Sequence, residues 1–199
     1  MLLKNGKVLN KLKKVYNKNI FFSIVVPTFN SKKYIYETLE SINAQTYTNF
    51  EVIISDDGSI DETVKIIQTF FKINLNLNYK IILNKHLGPG NARNQGIKKS
   101  SGDWIAFLDS DDIWDEKKLE ICSLKINENI NYNFIPSSII HMDKIGKIVD
   151  PSIFIKSNNL FHSLYRQNSL STSAVIIKKR LLMETDLFNC NLLSAQDYD

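Results

Sequence analysis

The chain has 199 residues, 43% of them hydrophobic and 23% charged, a composition typical of one sizeable globular domain. No apolar run approaches the ~20 residues of a membrane-spanning helix. The first residues lack the apolar stretch of a secretory signal, which predicts a cytoplasmic protein. The two cysteines, Cys122 and Cys190, lie far apart and indicate neither a disulfide framework nor a zinc site. We interpret both as half-buried thiols.

The formal charge of +4 arises at the N-terminus. Residues 1–19 contain six lysines and no acid, so the remaining 19 basic and 21 acidic residues give the body a net charge of −2. This distribution, with only three arginines in the chain, argues against a nucleic-acid-binding domain. Apolar residues recur at helical spacing between Val8 and Tyr16. They predict peripheral contact of this tail with the inner face of an anionic membrane; a helix packed on the domain or a frayed terminus is the alternative.

Short apolar strands alternate with amphipathic helices in the first half of the chain. The predicted strands are Phe21–Val26, Phe50–Ser55, Tyr79–Leu83 and Trp104–Leu108. The predicted helices begin at Ser31, after the capping residue Asp61, and at Asn91. Elements that alternate in this way form βαβ units. We therefore predict an α/β fold with a mostly parallel, Rossmann-like sheet and helices on both faces.

The pattern becomes less regular after a helix predicted at Asp115–Asn127. Two extended segments, a short helix and a further strand follow, at Tyr132–His141, Lys147–Ile155, Asn158–Tyr165 and Ser173–Ile177. This part of the chain is predicted to be a smaller α+β half.

Polar clusters follow three of the predicted strands, at Thr28–Asn30, Asp56–Ser59 and Asp109–Asp112. In open parallel sheets, ligands bind at the carboxyl ends of the strands. We therefore expect the three clusters to line one edge of the sheet and to form a site of nucleotide size.

The third cluster places three carboxylates, those of Asp109, Asp111 and Asp112, within four residues. Such groups repel one another unless a cation is near. Mg²⁺ and Mn²⁺ take carboxylate oxygens and share the rest of their shell with substrate phosphates. Alternate residues of an extended segment point the same way, so Asp109 and Asp111 can face a ligand together. The alternative is a solvated acidic loop that caps the next helix; the position after a fully apolar strand favours the metal site.

Two further segments indicate a nucleotide. Asp56 and Asp57 can accept hydrogen bonds from a ribose or a base N–H, although Asp-Gly also favours a simple turn. The Gly-rich segment Gly88–Gly96 precedes a helix and permits close approach of a phosphate. Within it, Arg93 can pair with a phosphate or with an acid of the site; an exposed helical arginine is the alternative. The chain has neither a dinucleotide fingerprint after its first strand nor a P-loop motif.

Four segments in this order resemble family 2 glycosyltransferases of the GT-A fold, and the resemblance extends over about residues 21–199. The segments are Pro27–Asn30, Ile54–Ser59, Ala92–Gly96 and Phe107–Asp112. The resemblance implies an inverting transfer of a sugar from a nucleotide-diphosphate donor, with UDP expected, to a hydroxyl of a glycan or lipid-linked acceptor. It also implies Mn²⁺ or Mg²⁺ as cofactor and bacterial surface-polysaccharide assembly as the setting.

The resemblance also assigns the site residues by position. Pro27, Thr28 and Phe29 would cradle the base and ribose, and Asp57 or Asp56 would bind the uracil edge. Asp111 would coordinate the metal. Asp197 would be the catalytic base, with Gln196 replacing the more usual glutamate before it. The complete implied nucleotide-sugar-binding set is Pro27, Thr28, Phe29, Asn30, Asp56, Asp57, Arg93, Asp109 and Ser110.

The implied domain division is a basic tail at 1–19 and a GT-A domain at 20–199, with a nucleotide-binding half at 20–114 and an acceptor-side half at 115–199. Because family members continue beyond the base motif, we expect the sequence to be truncated at its C-terminus. One alternative is a donor-binding domain without complete catalytic machinery. Sugar-1-phosphate nucleotidyltransferases and haloacid-type phosphatases fit the motif order less well, since each carries its own motif after the first strand.

Overall fold

The computed structural model describes residues 19–142, 148–150 and 171–192. The strands in these ranges are β1 (Phe22–Thr28), β2 (Phe50–Asp56), β3 (Tyr79–Leu83), β4 (Trp104–Phe107), β5 (Phe134–Pro136), β6 (His141–Met142), β7 (Ile148–Asp150) and β8 (Val175–Lys178). The helices are α1 (Ile35–Asn43), α2 (Thr63–Ile73), α3 (Pro89–Lys99), α4 (Lys118–Glu128) and α5 (Lys179–Met183). A 3₁₀ turn at Thr172–Ala174 precedes β8. None of the helices in these ranges has the length and apolar character of a membrane span.

Six strands form one sheet in the order β3-β2-β1-β4-β8-β5. Strands β1 to β4 are mutually parallel, whereas β8 runs antiparallel to both β4 and β5. The predicted α/β fold with a mostly parallel sheet is therefore confirmed. In the second half of the chain, β8 and β5 extend this sheet beyond β4, and β6 and β7 form a separate two-stranded sheet.

The central strands are buried on both faces, which explains their continuous apolar sequences. Alternate residues of β1 belong to two separate core clusters. Phe22, Ile24 and Val26 pack with α1, α2 and α4 on one face. Val25 packs with Ile97 of α3 on the other face. These two layers hold the carboxyl ends of β1, β2 and β4 at one edge of the sheet.

Several elements begin later than their sequence patterns predict. Helix α1 starts at Ile35, because the residues after Ser31 form a turn in which the Ser31 carbonyl accepts from the Tyr34 and Ile35 N–H groups. Helix α4 starts at Lys118, after a turn in which Oδ1 of Asp115 accepts from Lys117 N at 2.9 Å. Strand β8 starts after the 3₁₀ turn.

Other boundaries also differ. Tyr132–His141 divides into β5 and part of β6, which pairs with β7. Helix α3 begins at Pro89. The predicted helix Asn158–Tyr165 lies outside the described residues. Both cysteines are free, but Cys122 is buried and Cys190 exposed, so neither has the intermediate burial predicted.

A buried carboxylate ties three strands and one loop together at the amino end of the sheet. Glu51 is 1% exposed and accepts hydrogen bonds from Ser23 Oγ at 2.7 Å, from Lys80 Nζ at 2.9 Å and from the Ser101 N–H. Burial by itself raises the pKa of Glu51, but the hydrogen bonds from Lys80, Ser23 and Ser101 outweigh it and hold the pKa below its ordinary value. The charged form is therefore stabilised by folding.

We expect Glu51→Gln to lower the free energy of unfolding by about 2 kcal/mol at pH 7, the range for losing hydrogen bonds to a charged group. A lowered folded-state pKa means that the stabilisation is complete above the unfolded-state value and is lost as the pH falls through the folded-state value. The difference between the two proteins should therefore shrink as the pH falls below about 4.3, the ordinary value for Glu. Urea titrations of the wild type and of Glu51→Gln at pH 7 and at a pH below about 4.3 measure this difference in unfolding free energy. An equal difference at both pH values would contradict the role given to the Glu51 charge.

Candidate active site

A cleft of about 270 Å³ lies at the carboxyl ends of β1, β2 and β4, where the sequence predicts the ligand. It is bounded by the loops that follow these three strands, by the loop after β3 and by the first turns of α3. Its lining residues are Pro27, Thr28, Phe29, Asp57, His86, Pro89, Ala92, Arg93, Asp109, Ser110 and Asp111. Eight of these were implied by the resemblance; Asn30 and Asp56, also implied, do not line the cleft.

Asp56 and Asn30 instead connect the loops beneath it. The Asp56 carboxylate accepts from Thr28 Oγ1 at 2.9 Å, from Ser59 Oγ at 2.5 Å and from the Gly58 and Ser59 N–H groups. Asn30 has a positive φ of 47° and accepts from Ile60 N at 3.0 Å. Since these groups are already hydrogen-bonded between the loops, they hold the conformation of the loops that bound the cleft and do not face the cleft themselves.

Asp57 faces the cleft from a buried position and holds the loop that follows β3. Its carboxylate accepts from Leu87 N at 2.9 Å, from Gly88 N at 2.8 Å and from His86 Nδ1 at 2.9 Å. The His86 ring stacks on Phe29, with ring centroids 4.2 Å apart and planes at 15°. Both rings are partly exposed, so together they form an aromatic wall at one end of the cleft.

Arg93, Asp109 and Thr172 form a closed hydrogen-bonded triangle on the β4 side of the cleft, two strands from β2 in the sheet order. Arg93 Nη2 donates to Asp109 Oδ1 at 2.7 Å, and Thr172 Oγ1 donates to Asp109 Oδ2 at 2.8 Å. Arg93 Nη2 also lies 3.3 Å from Thr172 Oγ1. Arg93 is 8% exposed, and its Nε is buried without a hydrogen-bond partner among the described residues. Arg93 therefore pairs with an acid of the site, one of the two options its position left open.

The acidic loop is anchored by a backbone N–H and by a serine side chain, and one of its carboxylates remains available. Asp109 N donates to Ser173 Oγ at 2.9 Å, and Ser110 Oγ lies 2.6 Å from Ser31 Oγ. Asp111 is exposed in the cleft, and no hydrogen bond or ion pair joins it to the described residues. Burial raises the pKa of Asp112, the nearby carboxylates add to the rise, and Asp112 is not part of the lining. Asp111 is thus the carboxylate that a ligand can reach.

This donor set fits a divalent cation only with help from the ligand. The described residues contain no cluster of three or more His, Cys, Asp or Glu side chains that could hold a metal. Mg²⁺ usually binds through one or two carboxylates and completes its shell with substrate phosphates and water. One free carboxylate beside a cleft of this size matches that mode of binding. Asp111 is the residue that would hold such an ion.

Two groups of site residues were missed in the sequence. His86 carries a weak signal, because it follows a predicted strand as the other polar clusters do. Thr172 and Ser173 carry none: they reach the acidic loop because β8 pairs with β4, which no local pattern indicates. Asp197 lies outside the described residues.

The sequence resemblance implies UDP as the nucleotide, and on that expectation Thr172→Val should weaken UDP binding several-fold, because Asp109 loses the hydrogen bond that Thr172 donates to its second carboxylate oxygen. Loss of a net hydrogen bond should also reduce stability by about 1 kcal/mol. Isothermal titration with UDP in the presence of Mn²⁺ measures the first effect and urea unfolding the second. Thr172→Ser keeps the hydroxyl and should retain wild-type affinity. If the Thr172→Val and Thr172→Ser variants bind UDP equally well, the Thr172 hydroxyl does not position Asp109.

Comparison with known proteins identifies the family. A family model described as Glycosyl transferase family 2 matches residues 23–191. The chain therefore belongs to glycosyltransferase family 2.

The relatives support the same classification and differ in length from the chain. An uncharacterized glycosyltransferase of Rickettsia bellii is 34% identical over 189 residues, which are 94% of this chain and 27% of that protein. The amylovoran biosynthesis glycosyltransferase AmsB of Erwinia amylovora is 40% identical over 192 residues, which are 92% of this chain and 63% of AmsB. The chain thus spans less than two thirds of each relative.

A solved structure shows the same fold. The crystal structure of Staphylococcus aureus TarS 1–349 in complex with UDP-GlcNAc matches with a TM-score of 0.72 and 32% identity. The match covers 90% of this chain and 51% of that one. Together with the sheet order, this likeness shows that the fold is GT-A, as the sequence predicts.

Proposed function

We propose that the chain is the donor-binding and catalytic part of an inverting glycosyltransferase that uses a UDP-sugar. The observation that carries the proposal is the arrangement of the cleft. Asp57 and His86 follow β2 and β3, whereas the acidic loop with Asp111, which Arg93 contacts, follows β4, and these strands lie on opposite sides of β1 in the sheet. An aromatic surface with a hydrogen-bond acceptor suits a nucleoside, and a cationic side chain with a carboxylate that can hold a metal ion suits a diphosphate. The complexes of TarS with UDP and with UDP-GlcNAc support this choice of donor.

In the proposed complex, the base lies against Phe29 and His86, and Asp57 accepts from its N–H edge. Asp57 Oδ1 accepts only one hydrogen bond within the described residues, so it retains acceptor capacity for the base. Pro27 and Thr28 form the floor below the ribose. The diphosphate lies toward the acidic loop, near Arg93 and Ser110.

Asp111 would hold Mn²⁺ or Mg²⁺ together with the diphosphate. When bound, such an ion neutralises charge that develops on the leaving group. The chain's own contribution at this end is to keep Asp109 paired with Arg93, so that the loop presents one free carboxylate rather than two.

The chemical step that we propose is a single displacement. Asp197 takes the proton of an acceptor hydroxyl, whose oxygen forms a bond to the anomeric carbon. The bond between that carbon and the diphosphate oxygen breaks, and UDP leaves. Attack on the face opposite to the leaving group inverts the anomeric centre. The proton ends on Asp197 and both electrons of the broken bond on the diphosphate, so the step is balanced.

The acceptor that we propose is a hydroxyl of a glycan or lipid-linked glycan in the assembly of a bacterial surface polysaccharide, at the cytoplasmic side. TarS is named a poly(ribitol-phosphate) beta-N-acetylglucosaminyltransferase, and AmsB is named for amylovoran biosynthesis. Both names support a polymeric or oligomeric acceptor.

Calorimetric titration with UDP, GDP and CDP in the presence of Mn²⁺ tests the donor. UDP should bind tightest, and preference for another nucleotide would contradict the assignment. Turnover is then measured with the full-length protein as UDP release from UDP-sugars. UDP binding without release, with any acceptor tested, would favour a donor-binding domain. Release of pyrophosphate from UTP and a sugar 1-phosphate would instead indicate a nucleotidyltransferase.

A further inference from the structure

A second, larger cleft of about 1130 Å³ lies at the opposite edge of the sheet. It is formed by the loop between α3 and β4, the end of α4, and the junction of β8 with α5. Trp104, the first residue of β4, and Lys178, the last residue of β8, are paired neighbours within it. It therefore lies at the amino ends of the parallel strands, where the proposed donor does not bind.

This cleft is basic. Lys178, Lys179 and Arg180 line it, and Asp103 is the only acidic residue among the described residues of its lining. Lys178 Nζ lies 5.5 Å from the centroid of the Trp104 ring, and Lys179 Nζ donates to the Ser100 carbonyl at 2.7 Å. Neither lysine makes an ion pair with a described residue, and Arg180 forms an exposed pair with Glu184 at 3.6 Å. The two lysine charges are thus held in place without a carboxylate partner in the described part of the chain.

The N-terminal segment joins the domain at the same cleft. Asn19 and Ile20 are part of its lining. Residues 1–18 contain six lysines and no acid. Two basic parts of one chain repel each other, so the segment is not a suitable occupant of the cleft. The segment with six lysines attaches to the domain at Asn19, beside this basic cleft, which favours an anionic partner from outside the chain.

Exposed apolar side chains distinguish between anionic partners. Ile130 and Met183 line the cleft and are 58% and 53% exposed. Exposed apolar side chains add little to the affinity for a nucleic-acid backbone. Phosphate recognition favours arginine, which occurs once among the described lining residues. Lysines beside exposed apolar residues suit a bilayer, whose anionic headgroups attract the cations while its interface takes up the apolar side chains.

We propose that this edge of the domain docks on an anionic membrane surface. Lys178, Lys179 and Arg180 form its basic edge. Because the basic edge and the donor cleft lie at opposite ends of the strands, the donor cleft opens away from the bilayer when the domain is docked. If the proposed transferase function holds, the donor cleft then stands at least a strand length from the docked edge, about 20 Å for the seven residues of β1, so an acceptor glycan must span that distance to reach it.

Co-sedimentation of the full chain with vesicles tests the proposal. One set of vesicles is phosphatidylcholine with about 30% phosphatidylglycerol, whose anionic headgroups give the surface a negative potential. The other set is pure phosphatidylcholine, and both are measured at about 0.1 M and about 0.5 M NaCl. Binding should require the anionic lipid and fall at the higher salt, where screening is stronger. Changing the basic edge to Lys178→Gln, Lys179→Gln and Arg180→Gln should weaken binding by about tenfold or more, since each surface cation contributes.

Matched variants separate this surface from general charge and from misfolding. Lys32→Gln, Lys33→Gln and Lys65→Gln remove three charges from the loop after β1 and from the first turn of α2, at the carboxyl ends of the strands, and should leave vesicle binding unchanged. Lys178→Arg, Lys179→Arg and Arg180→Lys keep the charge and should retain binding. The basic-edge variant should also weaken binding when the six tail lysines are already glutamine.

Two results would overturn the proposal. One is equal vesicle binding by the basic-edge variant and the wild type. The other is binding to a single-stranded RNA oligonucleotide with no binding to the anionic vesicles, which would assign the cleft to nucleic acid. The measurements contain no nucleotide sugar, so failure here is distinguishable from failure of the transferase proposal.

Discussion

Asp111→Asn is expected to weaken UDP binding in the presence of Mn²⁺ by at least about tenfold, the lower range for disturbing a metal site. Each carboxylate oxygen of Asp109 already accepts one hydrogen bond, from Arg93 and from Thr172, and Arg93 neutralises its charge. Asp112 does not line the cleft. Asp111 is exposed there with a free carboxylate, so the affinity for a hard divalent cation depends on its charge. Asparagine keeps the size of the side chain and removes that charge.

The diagnostic quantity is the ratio of UDP affinities with Mn²⁺ and with EDTA, measured by calorimetry. The wild type should show a large ratio, and Asp111→Asn a ratio near one. Asp115→Asn is the matched control: it removes a carboxylate four residues further along, which does not line the cleft, and should keep the wild-type ratio. A large ratio that persists in Asp111→Asn would assign the metal to other residues.

Asp197→Asn is expected to lower the rate of transfer by about 10²–10⁴-fold, the usual contribution of a positioned general base. Asparagine cannot accept the acceptor's proton, whereas the groups that we propose for UDP binding lie on β1, β2, α3 and the acidic loop. UDP affinity should therefore stay near the wild-type value while the turnover number falls. The assay is UDP release by the full-length protein at saturating donor.

The neighbouring acid provides the control for this assignment. Asp199 lies two residues from Asp197 in the same motif. Asp199→Asn removes an equal charge and should retain most of the activity if Asp197 is the base. If Asp199→Asn loses transfer activity and Asp197→Asn retains it, Asp199 is the base. Loss of UDP binding in Asp197→Asn with an unchanged turnover number would give Asp197 a binding role instead.

The order and type of the first elements could be predicted from the sequence, because they depend on local apolar patterns. Strands β1 to β4 lie within a residue or two of their predicted positions, since continuous buried runs such as that of β2 have sharp polar ends. Helix starts were less well predicted. Asp115 forms a turn before α4, and a turn after Ser31 precedes α1. Side-chain chemistry at helix starts is compatible with either a cap or a turn.

The site was predictable to the extent that it follows strand ends. Because ligands bind at the carboxyl edge of a parallel sheet, the positions of Thr28, Asp57 and Asp109 after their strands are sufficient to predict that they lie together. The sequence could not separate Asp56 from Asp57. They are adjacent, and only their hydrogen bonds show that Asp56 is bonded within its own loop while Asp57 lines the cleft.

The sequence by itself determined the parallel α/β core, the acidic loop at the end of β4 and the family resemblance, because each depends on residues close together in the chain. The tertiary structure alone decided which carboxylate of the acidic loop is free. Thr172 is 63 residues from Asp109, and it reaches Asp109 through the antiparallel pairing of β8 with β4. The same pairing places Lys178 beside Trp104 at the other edge. Strand pairing over such distances depends on the packing of the whole sheet, which no local pattern records.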